Sequence, residues 1–310
     1  MGTITVQNKH RKQFHLATVF TAMQKIIQAF IHSNIYISLA AVFLTVSAQI
    51  QLGMKPQWHP YLFIIFFATL FEYNLHRLIT VITNKEALNS EKHRWVRENL
   101  IAFYVLVSVS VAGFGVVALL ANPEVLYTLA PFAVITLFYS VPVFENRKHL
   151  FRLREIPYLK IFLIAIVWSA TTILLPIVQS GGTFGKVHVA IMLAERFFFL
   201  LAITIPFDIR DLEADRHSGL KTIPLLLNEK GAMYIAYLSL LLFILISVIH
   251  YRSHNDRDLL LAMAISALTT FIFLKSEKIR NLTFYHYGIL DGAMLLQGLL
   301  VLVFYYFTGN

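Results

Sequence analysis

The sequence predicts an all-α membrane protein of about nine transmembrane helices, and three observations lead there. The chain is 57% hydrophobic and 14% charged, with a mean hydropathy of +0.66, whereas an average soluble domain carries about 25% charged residues. Its apolar residues gather into segments near the roughly 20 residues that a helix needs to cross a bilayer, where lipid offers no partner to free backbone groups. Lys and Arg fall on alternate connections between those segments, the bias that orients a multi-pass chain.

Lys9, Arg11 and Lys12 precede a stretch from Phe14 to Ile31 that Gln24, Lys25 and Gln28 interrupt, so no cleavable signal is predicted. Phe14, Leu16, Val19, Phe20, Met23, Ile26, Ile27, Phe30 and Ile31 stand at helical spacing, which predicts an interfacial amphipathic helix within a cytoplasmic tail, residues 1–34. Val6 argues against N-terminal myristoylation, which wants Ser or Thr there. Spans are then predicted at 35–53, 60–83, 100–120, 124–143, 159–179, 187–207, 231–250, 258–274 and 285–308, forming one bundle (35–308) in a single membrane domain, 1–310.

With the N-terminus cytoplasmic, only Lys55, Lys186, Arg252 and Arg257 lie outside and Arg77 and Arg196 within spans; every other Lys and Arg is inside. This topology puts the long polar loops in the cytoplasm and the C-terminus outside. It also accounts for the net charge of +9 through orientation and anionic lipid rather than nucleic acid. Cysteine is absent, which excludes disulfides, thiolate nucleophiles and Cys-ligated metals. His76, His188, His250 and His286 show no haem or zinc spacing. Glu195 and Arg196 are adjacent, cannot share a helix face and need partners from other helices, Asp291 being one candidate.

The densest chemistry stands at the end of the sixth span, in Asp208-Ile209-Arg210-Asp211-Leu212-Glu213-Ala214-Asp215 followed by Ser218-Gly219-Leu220-Lys221-Thr222-Ile223-Pro224. Asp208, Asp211 and Asp215, at i, i+3 and i+7, share one helix face within about 60°. Three converging carboxylates repel unless a hard cation joins them, and Mg²⁺ takes carboxylate and phosphate oxygens. The same spacing also suits a solvated helix end in which Arg210, Glu213 and Arg216 pair with their neighbours. Lys221 offers a point charge for phosphate or a topology signal.

This segment strongly resembles the second aspartate-rich motif of the UbiA superfamily of intramembrane prenyltransferases, Asp-x-x-Asp-x-x-x-Asp followed by Gly, Lys-Thr and Pro. The resemblance extends to Tyr139-Ser140-x-Pro142, to a basic connection with Arg152 and Lys160, and to the helix count. It implies two helical bundles around a central apolar cavity, and transfer of a polyisoprenoid from its diphosphate to a lipophilic acceptor, often an aromatic quinone precursor, in the cell (inner) membrane. Asp208, Asp211 and Asp215 are then the catalytic, Mg²⁺-holding residues, while Asn74, Arg77, Tyr139, Arg152, Lys160 and Lys221 contact the diphosphate. The family's first motif is degenerate: Asn74 keeps the asparagine, but Leu75, Leu78 and Ile82 stand where aspartates are expected. Arg77, at i+3 from Asn74, is placed either to replace one metal's charge or to snorkel to the interface or pair with Glu72 or Glu91. Without those acids, terpene cyclisation and non-catalytic isoprenoid binding stay open beside transfer. A transporter is disfavoured, because no paired Gly/Pro-broken helices stand out.

Overall fold

The computed structural model describes residues 23–83, 91–141, 144–146, 149–254 and 256–308. Lys9, Arg11, Lys12, Lys85, Pro142, Arg147, Lys148 and the predicted interfacial stretch before Met23 lie outside them. In chain order the helices are α1 (Met23–His32), α2 (Ile35–Gln51), α3 (Pro60–Thr83), α4 (Glu91–Glu98), α5 (Leu100–Ala118), α6 (Pro123–Ser140), α7 (Leu159–Ser180), α8 (Lys186–Arg210), α9 (Leu212–His217), α10 (Ile223–Ser253), α11 (Arg257–Lys275), α12 (Glu277–Arg280) and α13 (Asp291–Thr308). A two-stranded antiparallel hairpin, β1 (Phe144–Asn146) and β2 (His149–Phe151), interrupts the all-helical pattern between α6 and α7.

Among the described residues eight helices are long and apolar enough to cross a membrane, and α1 with α2 would make a ninth bent by 64°. Helix α2 alone has 17 residues. It stops two residues before the predicted boundary because Gly53, at φ 74°, turns the chain, a conformation glycine adopts without steric cost. At its other end Asn34 supplies a left-handed residue (φ 64°), tolerated by Asn, and α1 beyond it exposes Met23, Ile26, Ile27 and Phe30.

Local chemistry sets other boundaries. Asn122 caps α6 by accepting from the Glu124 amide at 3.0 Å, with Pro123 as first helical residue. Asp256 caps α11 through the Leu259 amide. The predicted span 231–250 is the unbroken part of α10, whose first turns are separated from the rest by non-helical Asn228 (φ 60°, ψ 173°). The last span opens with a π-helical turn, Tyr285–Leu290, leading into α13.

Helix α8 packs on α7 and α10, and α2 lies against α13, α3 and α7. Side chains such as Leu119, Tyr127, Ile249 and Phe307 point outward, as expected where the solvent is lipid. Buried polar groups pair across helices. Glu195 contacts His250 Nδ1 at 3.1 Å and accepts from Tyr251 Oη at 3.2 Å, while Arg196 donates to Gln51 Oε1 (2.9 Å), Leu44 O (3.0 Å) and Ser47 Oγ (3.2 Å). The adjacent charges thus find partners on α10 and α2, rather than in the Asp291 considered above. At 1.5 Å per residue this network sits about 20 Å along α8 from Asp208.

Candidate active site

The aspartates occupy the junction of α8 and α9. The backbone runs nearly helical through it: Asp211 N donates to Phe207 O at 3.0 Å, and Asp215 N to Asp211 O at 2.8 Å. Helix α9 ends in a Schellman arrangement, with Gly219 at φ 68°, its amide on Arg216 O and the Leu220 amide on Asp215 O. That is the physical reason for a glycine four residues after the last aspartate.

The three carboxylates converge on one ammonium. Lys160 Nζ, from the first turn of α7, is 2.9 Å from Asp208 Oδ1, 3.6 Å from Asp211 Oδ2 and 3.4 Å from Asp215 Oδ2. Its position is secured from behind, since Tyr158, in left-handed conformation (φ 63°), donates its amide to Lys221 O at 2.9 Å. The Lys221 side chain itself is exposed. Asp211 also takes a bidentate contact from Arg210, Nε to Oδ1 at 2.8 Å and Nη2 to Oδ2 at 3.1 Å. Burial works to raise the Asp211 carboxyl, but Arg210, Lys160 and Arg154 outweigh it and hold it below the usual carboxylate range. Burial, reinforced by Asp211 and Asp208, pushes Asp215 up against the pull of Lys160.

Both sequence readings of the segment therefore have a structural counterpart: Arg216 pairs with Glu213 at 3.0 Å on the exposed side, while the aspartates turn inward. Among the described residues no three acidic or histidine side chains stand at metal-ligand spacing; the separation here is that of carboxylates around an ammonium. The donor set nevertheless suits a hard cation. One oxygen from each carboxylate faces a common point, and Asp208 Oδ1 is buried in an ion pair without an aligned hydrogen bond, leaving it coordinating capacity.

Beside this cluster lies a cavity of about 150 Å³ between α3, α6 and α7, lined by Glu72, His76, Arg77, Tyr139, Leu163 and Trp168 among others. That is room for one aromatic ring or isoprenyl unit. Arg77 stacks on Tyr287 at 4.9 Å from the ring centroid and Arg210 on the same ring at 4.8 Å, so one tyrosine joins the two guanidinium groups. Tyr139 faces Arg154, 5.7 Å from its ring centroid.

The residues of the degenerate first motif separate. Asn74 is fully buried, its Nδ2 donating to Ser33 O (3.0 Å) and Leu70 O (2.8 Å) and its Oδ1 accepting from Asn34 (2.9 Å). Its amide thus joins α3 to the α1–α2 bend. Leu78 is buried and Ile82 exposed. Arg152 turns to Glu155 at 3.6 Å, and its guanidinium is lowered by burial and by Arg154.

Arg154, which sequence reasoning did not single out, instead contacts two residues of the cavity wall, His76 and Tyr139. Its Nη1 is 2.8 Å from His76 Nε2, His76 Nδ1 is 3.2 Å from Ser140 Oγ, and that hydroxyl donates to Glu72 Oε1 at 2.5 Å. Since Arg154 only donates, His76 carries its proton on Nδ1 and the chain of donors runs from Arg154 to Glu72. The alternation Arg152-Leu153-Arg154 was the available signal; the 3₁₀ turn Leu153–Glu155 decides which arginine faces inward.

Known proteins match this architecture. The apo UbiA homolog from Aeropyrum pernix K1 superposes with a TM-score of 0.63 at 16% identity, over 86% of this chain and 97% of that one. The UbiA homolog from Archaeoglobus fulgidus bound to DMAPP and Mg²⁺ gives 0.59 at 14% identity, over 89% and 99%. A digeranylgeranylglyceryl phosphate synthase gives 0.53 at 13% identity, over 90% and 98%. No curated protein sequence matches significantly. The sequence profile of the UbiA prenyltransferase family matches residues 93–283, which carry Lys160 and all three aspartates, and the chain belongs to that family.

Proposed function

We propose that this multi-pass membrane protein transfers an isoprenoid chain from a prenyl diphosphate to a lipophilic acceptor, an aromatic or quinone-precursor ring, with Mg²⁺ as cofactor. The observation that carries the reading is the convergence of Asp208, Asp211 and Asp215 around Lys160 beside the Tyr139–Trp168 cavity. The Archaeoglobus relative with bound DMAPP and Mg²⁺ supports the donor class. Asp208, Asp211 and Asp215 are the residues that would hold Mg²⁺, whose chemistry is to offset charge on the diphosphate. Lys160, Arg154 and Arg77 supply fixed positive charge for the leaving group. The C1–O bond breaks with its electron pair leaving on the diphosphate. The allylic cation is shielded by Tyr139, Tyr73 and Trp168 until the acceptor's electron pair closes the new bond and a proton departs. The N-terminus and the aspartate loops lie in the cytoplasm and the C-terminus outside, in the cell membrane.

A second reading, isoprenoid binding without turnover, is favoured by one observation: Lys160 already stands among the three carboxylates while the first-motif positions carry Leu75, Leu78 and Ile82. Diphosphate release from prenyl diphosphates by protein in liposomes, with and without Mg²⁺ and a panel of quinone precursors, separates them. Transfer predicts release that requires acceptor, Mg²⁺ and Asp211, lost in Asp211→Asn. Release without acceptor points to cyclisation, and binding without release under every acceptor overturns the enzymatic reading.

A further inference from the structure

A second cavity, about 500 Å³, lies on the other face of α8, walled by α10, α12 and the Tyr285–Leu290 turn. Pro206, Ile209 and Arg210 line it. At 100° per residue they stand about 180° from the aspartates, so this space is separate from the one assigned to the transfer reaction. Three cations face it, Arg210, Lys230 and Arg280, against one acid, Glu229. Arg210 is held by Asp211 and Arg280 is loosely paired with Glu277, at 3.9 Å, whereas Lys230 makes no ion pair among the described residues.

Two donors in this wall are unspent. Tyr285 is 3% exposed and its hydroxyl is buried without a hydrogen-bond partner; the Nε of Arg280 is in the same condition. A buried donor without an acceptor is costly, and a phenol beside a guanidinium Nε–H asks for an oxygen anion between them. Apart from His286, the remaining wall, including Met233 and Tyr237, is largely apolar, and the volume exceeds what a phosphate alone fills. Basic pockets between helices near the cytoplasmic face suit lipid headgroups, and guanidinium groups suit phosphate.

We propose that this cavity binds the phosphate headgroup of an anionic lipid, held by Lys230, Arg280 and the Tyr285 hydroxyl, with its glycerol and proximal chain against Met233 and Tyr237. Arg210 is shared with Asp211, so the occupant sits one side chain from the aspartate cluster. The site does not depend on the transferase reading.

The test is binding to purified full-length protein in neutral detergent, titrated with dihexanoyl phosphatidylglycerol, dihexanoyl phosphatidylcholine and inorganic phosphate. Phosphatidylglycerol is expected to bind at least tenfold tighter than phosphatidylcholine. The variant Lys230→Gln/Arg280→Gln loses that preference, and Tyr285→Phe weakens phosphatidylglycerol threefold or more with unchanged melting temperature. If inorganic phosphate binds with the same sensitivity to these variants, the phosphate site stands and its source is soluble. Equal binding of the two lipids together with no phosphate binding, or variants that bind phosphatidylglycerol like the parent, overturns the proposal. Should the double variant not fold, Tyr285→Phe alone decides.

Discussion

Lys160 Nζ and Asp208 Oδ1 stand 2.9 Å apart with side chains 8% and 3% exposed, and the same ammonium lies within 3.6 Å of Asp211 and Asp215. One lysine thus occupies the point where a cation between the three carboxylates would sit. Removing one partner of a buried ion pair leaves uncompensated charge at a cost of about 3–5 kcal/mol. Lys160→Gln is therefore expected to melt several degrees lower than the parent in EDTA. Addition of Mg²⁺ should recover most of that loss, because a divalent ion would then neutralise carboxylates no longer held by an ammonium. Thermal unfolding in detergent with and without Mg²⁺ checks this; a Mg²⁺ shift no larger than that of the parent refutes it.

The choice between Arg152 and Arg154 gives a paired prediction. Arg154 bonds His76 and overlies Tyr139, while Arg152 faces Glu155. A charge-assisted contact to phosphate is worth about 1.5–3 kcal/mol. Arg154→Gln should weaken prenyl-diphosphate affinity roughly tenfold or more, whereas Arg152→Gln should change it less than threefold. Equilibrium binding of a non-hydrolysable prenyl diphosphonate to the two variants distinguishes them, and equal effects would remove the distinction drawn here.

What was legible in the sequence follows from which constraints are local. Span lengths are imposed by the bilayer and the aspartate spacing by the helix repeat, so both were readable. The aspartate-to-lysine contact was not, because Lys160 is 55 residues from Asp215 and only the packing of α7 on α8 brings them together. Lys160 was picked out by resemblance to a basic connection, without its place at the centre of the carboxylates. The partners of Glu195 and Arg196 were hidden for the same reason. Arg154 was hidden by a local cause, since a single 3₁₀ turn rotates one arginine of an alternating pair inward. The fate of Asn74 depended on Asn34, 40 residues away, and on the bend that Asn34 itself creates.

That bend supplies the third prediction. Asn74 satisfies both the Ser33 carbonyl and the Asn34 side chain, so Asn74→Ala leaves buried polar groups unpaired where α1, α2 and α3 meet. Side-chain hydrogen bonds within membrane bundles average about 0.6 kcal/mol each and buried unpaired groups cost about 1–3 kcal/mol. The expected result is a loss of about 1–3 kcal/mol, read as a lower melting temperature, with diphosphate affinity of the folded fraction within threefold of the parent. A large affinity loss at unchanged stability would instead assign Asn74 to the phosphates.

The packing of α2 on α13 is set by one missing side chain. A Cβ at Gly298 would stand 2.6 Å from the backbone carbon and oxygen of Phe43, closer than any real contact and against atoms that cannot rotate away. Small residues allow such approach in membrane bundles, where dispersion replaces the hydrophobic drive between helices. Overpacking a tight contact costs about 1–3 kcal/mol, and here the obstacle is backbone, so Gly298→Ala is expected in the upper half of that range. Gly115 is the control, since a Cβ there meets nothing within 4 Å. Gly115→Ala should be neutral or stabilising, because alanine favours the helix by about 1 kcal/mol over glycine. Thermal unfolding of the two variants side by side reads the contrast. If Gly298→Ala melts no lower than Gly115→Ala, the two helices are not held at the distance described.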